Sequence, residues 1–205
     1  MAPIAAISIP SPRVEAVVRS LREEGQLRPQ EAITQVAFTH RDLAGDAVSP
    51  SPLNPIAFAA LEREPFDLRR VIDAAARSLA PAAGDKGLVL EVKTADALPA
   101  RVIGHEPGIR QVLSALLENA VKFTERGEVV ASVTAHETGS GRVLVHFEIS
   151  DTGPGIPAQA LDERTTGGLA RARQLVELMD GRMECSSALG LGSTLWFRVP
   201  LDLQA

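Results

Sequence analysis

Between Glu106 and Phe123, apolar side chains fall at Ile109, Val112, Leu113, Leu116, Leu117 and Ala120, the spacing of one helical stripe. A helix with one apolar face must bury it against another element, and the flanking sequence says which kind. Residues 129–136 and 143–150 alternate apolar and polar side chains around Gly139-Ser140-Gly141, the pattern of a β-hairpin. Residues 183–187 and 193–199 repeat it around Gly190-Leu191-Gly192, and 88–94 alternates as a half-buried strand. Two further stripes are helical. Leu68, Val71, Ile72, Ala75 and Leu79 follow a capping Asp67 and run to about residue 82. Leu169, Ala172, Leu175, Val176 and Met179 run over 167–180, with Gly181 expected to take the left-handed turn that ends the helix. The order helix, strand, helix, two strands, helix, two strands predicts an α+β chain folded as a two-layer sandwich.

Composition narrows the function classes. The chain has 205 residues, of which 45% are hydrophobic and 23% charged, so a sizeable core needs no metal or disulfide. A net charge of −5 and an aromatic content of 3% without tyrosine argue against nucleic-acid partners. A single cysteine, Cys185, points to a reducing, cytoplasmic setting and a buried inert thiol. No apolar run approaches the roughly 20 residues that span a bilayer. The four histidines and one cysteine show no zinc spacing.

The N-terminal third is less regular. Residues 1–12 read as a loose tail. Residues 13–65 read as a helical region: Val14, Val17, Val18 and Leu21 make one stripe, and Ile33, Val36 and Ala37 another. Such stripes suit self-association as a dimer, although Pro50, Pro52 and Pro55 break any second long helix. The regular domain is expected over 66–205.

Four motifs carry chemistry. In Leu116-Leu117-Glu118-Asn119-Ala120-Val121-Lys122-Phe123-Thr124, Asn119 offers a neutral oxygen to a hard cation such as magnesium, and Lys122 can meet a phosphate. The plain alternative is an amphipathic helix with two exposed polar residues. Asp151-Thr152-Gly153-Pro154-Gly155-Ile156 places a carboxylate at a strand end, where it can accept from an exocyclic amine. Gly153 and Gly155 let backbone approach a flat ligand. Alone it would read as a turn. Gly167-Gly168-Leu169 opens a helix whose free N–H groups suit a polyanion. Gly190-Leu191-Gly192-Ser193-Thr194 closes the set, and by itself is a glycine hairpin.

Together, in this order over about two thirds of the chain, the motifs resemble the asparagine box and glycine boxes of the ATP-binding domain of sensor histidine kinases, the GHKL or Bergerat fold. The resemblance implies ATP with magnesium, Asn119 as the metal ligand, and a nucleotide site of Asn119, Lys122, Asp151, Gly153, Gly155, Ile156, Gly167, Gly168, Leu169 and Thr194. It implies a histidine phosphoacceptor, for which His40 is the nearest candidate, a homodimer, and a response-regulator receiver domain as partner. Three departures stand against ordinary kinase activity. Ala115 replaces a polar residue one turn before Asn119. Only residues 157–166 separate the glycine boxes, too few for the usual lid. The Arg-Thr-Pro run that follows the family's phosphoacceptor is absent after His40. The alternatives are a degenerate relative serving as a nucleotide-binding or phosphotransfer scaffold, and a serine kinase of anti-sigma type. His105 is expected to assist the entry of the helix behind it, and Trp196 to lie in the core.

Overall fold

The computed structural model describes residues 34–37, 62–139, 141–156 and 168–204. The expectations placed on residues 1–33 and 38–61, on His40, on the short lid and on Gly167 lie outside them.

The strands are β1 (Thr34–Ala37), β2 (Glu64–Asp67), β3 (Val89–Thr94), β4 (Arg101–Gly104), β5 (Glu128–Gly139), β6 (Arg142–Asp151), β7 (Arg182–Ala188) and β8 (Gly192–Leu203). The helices are α1 (Leu68–Asp85), α2 (Glu106–Phe123) and α3 (Gly168–Leu178). The sheet order is β1-β7-β8-β6-β5-β3, with β4 against the end of β8 and β2 outside β4. All neighbours are antiparallel except β3 and β5. The three helices lie on one face of this sheet, so the two-layer α+β sandwich expected from the pattern is the fold.

α2 sits at the centre. Its stripe is buried as the spacing required, against β5 and β6 and between α1 and α3. Under it, Phe147 of β6 and Phe197 of β8 face each other across the ladder, rings stacked with centroids 4.5 Å apart. Each fully buried side chain of this size stabilises the fold by about 1.5–3 kcal/mol. Asp67 caps α1 as expected, its carboxylate accepting from Arg70 N at 3.0 Å. His105 caps α2 in the same way, its Nδ1 accepting from Gly108 N at 3.0 Å. Cys185 and Trp196 are both buried.

The structure departs from the sequence pattern in three places. β2 and β4 have four residues each, too short for alternation to declare them, and they pair only with each other and the end of β8. Thr34–Ala37, within the segment expected to be helical, is a strand paired with Thr34 opposite Ser187 and Ala37 opposite Glu184. At the end of α3 the left-handed residue is Asp180 (φ 57°), not Gly181. Asp180 N donates to Glu177 O and Gly181 N to Val176 O, the paired bonds of a Schellman turn. Gly181 is required for another reason: a Cβ there would strike Arg198 O and lie 2.8 Å from the Val176 and Val199 methyls.

Candidate nucleotide site

A cavity of about 300 Å³ opens between α2, the loop after β6, the start of α3 and the start of β8. Its wall includes Asn119, Phe123, Asp151, Ile156, Leu169 and Ser193. The strands and α2 bring these residues together from distant parts of the chain. Asp151 is the last residue of β6 and stands opposite Ser193 in the ladder with β8.

The Asp151 carboxylate is held by one oxygen. Oδ1 accepts from Gly153 N at 2.9 Å and from Ser193 N at 3.3 Å. Oδ2 takes no hydrogen bond from any described residue. Burial raises the carboxyl pKa above its ordinary value, and the two backbone donors pull it partly back. The result is a carboxylate fixed by one oxygen in the wall of a largely apolar cavity, its other oxygen unbonded among the described residues.

The loop behind it is clamped to the β7–β8 hairpin. Gly190 N donates to Pro154 O at 2.8 Å, and Ile156 N donates to Ser187 Oγ at 2.7 Å. Ser187 passes its own proton to Gly192 O at 3.1 Å, which leaves Ser193 as donor in the 3.0 Å Ser187–Ser193 pair. Gly155 (φ 74°) lies so close to the hairpin that a Cβ would strike Ala188 O. Glycine is needed here for two reasons, the backbone conformation and the close approach.

The sequence-derived site residues divide. Asn119, Asp151, Gly155, Ile156 and Leu169 line the cavity. Gly153 is buried behind it and serves by donating to Asp151. Gly168 begins α3 and is exposed, outside the cavity wall. Lys122 is exposed and also outside the wall, its Nζ 5.2 Å from the Phe123 ring centroid in a cation–π contact. Thr194 is placed on the other face. Its Oγ1 shares a 3.0 Å hydrogen bond with Ser150, whereas Asp151 and Ser193, one residue along each strand, face the cavity. The inward hydroxyl of that motif is therefore Ser193. Strand alternation counted from Asp151 would have found it, once β6 and β8 were known to pair in that register.

Two contributors left no local signal. Phe123, 57% exposed, forms part of the cavity wall. Lys86 reaches the end of α2 from the end of α1, its Nζ donating to the carbonyls of Val121 (2.8 Å), Lys122 (2.7 Å) and Thr124 (3.2 Å). Those carbonyls would otherwise be unpaired at a helix C-terminus, and the cation complements the dipole there. The contact fixes the backbone that carries Phe123.

A flat heterocycle bearing an amino group fits this arrangement. One carboxylate oxygen remains to accept from the amine, apolar Phe123, Ile156, Leu169 and Leu195 bound the ring space, and glycine backbone permits close approach. A helical layer on a mixed sheet with such a cavity defines an ATP-binding domain of the GHKL type. Residues 104–203 match the family described as "Histidine kinase-, DNA gyrase B-, and HSP90-like ATPase", and this domain belongs to that family as a homologue of the sensor histidine kinases. The signal transduction histidine-protein kinase BarA of Escherichia coli (strain K12) is 34% identical over 160 residues, covering 70% of this chain and 17% of that protein. The sensor histidine kinase AruS of Pseudomonas aeruginosa is 34% identical over 170 residues, covering 71% of this chain and 17% of its own length. The crystal structure of full-length ShkA in complex with AMPPNP superposes with a TM-score of 0.63 at 31% identity, covering 71% of this chain and 32% of that one. The chain thus spans about a sixth of the two curated kinases. Among the described residues no helix is long and apolar enough to cross a membrane.

Proposed function

We propose that the chain binds ATP with magnesium and supplies the catalytic half of a protein-histidine kinase in two-component signalling. The observation that carries this is Asp151 in the cavity wall, with Oδ1 held by two backbone N–H groups and Oδ2 taking no hydrogen bond from any described residue. In this reading Asp151 accepts from the adenine amine and Phe123, Ile156, Leu169 and Leu195 exclude water from the ring. Asn119 carries the only side-chain oxygen that α2 gives to the cavity wall, so it would hold magnesium, and the ion would supply charge neutralisation during transfer. The chemistry breaks the bond between the γ-phosphorus and the β,γ-bridging oxygen, forms a P–N bond to histidine and releases ADP. His40 is the proposed acceptor. A homodimer, a receiver-domain partner and a cytoplasmic setting complete the reading, whose kinase part is supported by the names of the relatives.

Two observations favour the scaffold alternative, in which nucleotide binds without transfer. Ala115, one turn before Asn119, is packed against the core and offers no polar atom. Lys122 lies outside the cavity wall. Titration calorimetry with ATP and ADP, with and without magnesium, beside an autophosphorylation assay separates the readings. Binding with labelling of His40 supports the kinase. Binding without labelling, and with ATP and ADP within about tenfold, or ~1.4 kcal/mol, supports the scaffold. No binding of either nucleotide overturns both.

A further inference from the structure

The asparagine-box motif ends in a residue to which the nucleotide site gives no role. Thr124 caps the end of α2 and is fully buried. Its backbone is committed: Thr124 N donates to Ala120 O at 3.0 Å, and Thr124 O accepts from Lys86 Nζ at 3.2 Å. Its hydroxyl is not. Oγ1 has no hydrogen-bond partner among the described residues. A hydroxyl sealed away from solvent has lost its water partners, and it is destabilising unless something replaces them. The plain alternative is that the methyl group does the packing and the hydroxyl is merely tolerated.

The surroundings of Gly153 argue against that alternative. A Cβ on Gly153 would stand 2.9 Å from Asp151 Oδ1, 3.1 Å from Thr124 Oγ1 and 3.4 Å from Phe123 O. Three oxygens, from the end of α2 and the end of β6, thus meet beside a residue that has no side chain. No hydrogen bond joins Thr124 Oγ1 to either of the others. Those two, an ionised carboxylate and a carbonyl, can only accept. Phe123 O is also the carbonyl that Lys86 passes over, since its Nζ bonds the carbonyls of Val121, Lys122 and Thr124. Two acceptors and one hydroxyl complement a single water molecule, which donates twice and accepts once. Hydrogen bonds between oxygens run about 2.7–2.8 Å, so oxygens gathered around one point at these distances are within the span of one water. A metal cation is disfavoured there, because Lys86 already brings a positive charge to the same helix end.

We infer that Thr124 is a positioning residue of the nucleotide site: its hydroxyl holds one buried water, which donates to Phe123 O and to the Asp151 carboxylate. The water ties the end of α2 to the end of β6. The helix that carries Asn119 and Phe123 and the strand that carries Asp151 are thereby held at a fixed separation across the cavity. The effect on affinity rests on the reading of Asp151 as a nucleotide ligand; the water itself does not.

Two variants separate the hydroxyl from the packing. Thr124→Val keeps the shape and removes the hydroxyl, whereas Thr124→Ser keeps the hydroxyl and removes the methyl. In calorimetry with ATP, the valine variant should bind about fivefold more weakly than the parent, and the serine variant should stay within about twofold. The valine variant should also lower the Tm of the ligand-free chain. A crystal structure of the full chain at a resolution that orders buried waters provides a measurement that depends on neither variant folding. It should show one water within hydrogen-bond distance of Thr124 Oγ1, Phe123 O and the Asp151 carboxylate. A valine variant that binds ATP within about twofold of the parent, or more tightly than the serine variant, would make Thr124 a packing residue and overturn the inference. So would a valine Tm equal to or above that of the parent, which is the result for a hydroxyl without a partner, or electron density without that water. If the parent binds no nucleotide, Asp151 falls as a ligand, and the Tm and the density still decide whether Thr124 holds the water.

Discussion

Ser193 N donates to Asp151 Oδ1 at 3.3 Å, and so the start of β8 sets the direction of the carboxylate that ends β6. The bond joins two motifs 42 residues apart and makes them one binding surface. Gly153 N completes the hold on the same oxygen, which is why the other remains available.

Asp151→Asn is expected to keep the fold and lose the nucleotide. The amide oxygen can still accept from Gly153 and Ser193, but an N–H₂ then meets the adenine amine, donor against donor. A charge-assisted hydrogen bond contributes about 1.5–3 kcal/mol, so calorimetry should show affinity falling roughly ten- to a hundredfold or more. Because the folded-state pKa of Asp151 is raised, the ionised carboxylate costs stability, a cost that grows as pH rises through the window above the unfolded value. The variant's Tm at neutral pH should therefore equal or exceed that of the parent; a clear loss would show that the carboxylate is structural.

Thr194 and Ser187 should behave oppositely. Thr194→Val removes a buried hydroxyl and leaves Ser150 without its partner, a loss of about 1 kcal/mol in stability. Nucleotide affinity should stay within about twofold, since the residue faces away from the cavity. Ser187→Ala frees Ile156 N and the loop it anchors, and should weaken binding more than it lowers Tm. Equal effects on affinity from the two variants would place Thr194 in the site after all.

His105 gives the fold a pH dependence. Partial burial lowers its pKa below 6.5, and only the unprotonated Nδ1 can accept from Gly108 N. The folded state thus binds fewer protons than the unfolded one, and the cap's contribution is present above the unfolded value and lost as pH falls through the lower folded one. Tm measured from about pH 7 to about pH 5 should fall more steeply for the parent than for His105→Asn, whose amide oxygen caps at either pH.

Lys86→Met removes three hydrogen bonds from the end of α2 while keeping the side-chain length. The head group stays within reach of water, so the expected cost is about 1 kcal/mol, read as a Tm shift. If the contact also positions Phe123, nucleotide affinity should drop several-fold, and Lys86→Arg should restore part of it. A stability loss with unchanged affinity would confine Lys86 to capping.

Much of this was legible in the sequence, for physical reasons. α2 is long, buried along one stripe and free of glycine beyond its first turn, so period alone declared it. Asp151 was legible because a strand ended at a carboxylate followed by two glycines. Thr194 was misjudged as a ligand residue because facing depends on register, and register is a property of two strands at once. Gly181 was read as the left-handed residue because glycine usually is; here Asp180 takes that conformation and Gly181 gives way to Arg198 O. Lys86 was invisible because its partners lie 35 to 38 residues onward, joined only when α1 and α2 pack.

β3 is held from one side only, and by the sheet's single parallel pairing among the described strands. Its partner β5 lies beyond a crossover that contains β4 and α2, so no local turn can bring the two together. Pairing must wait until that crossover has closed, which makes β3 a late arrival in folding. By the same reasoning it is an early departure on heating. Amide hydrogens of Val89–Thr94 should exchange sooner than those of β6 and β8, and the sandwich should fray from this margin while its centre is still intact.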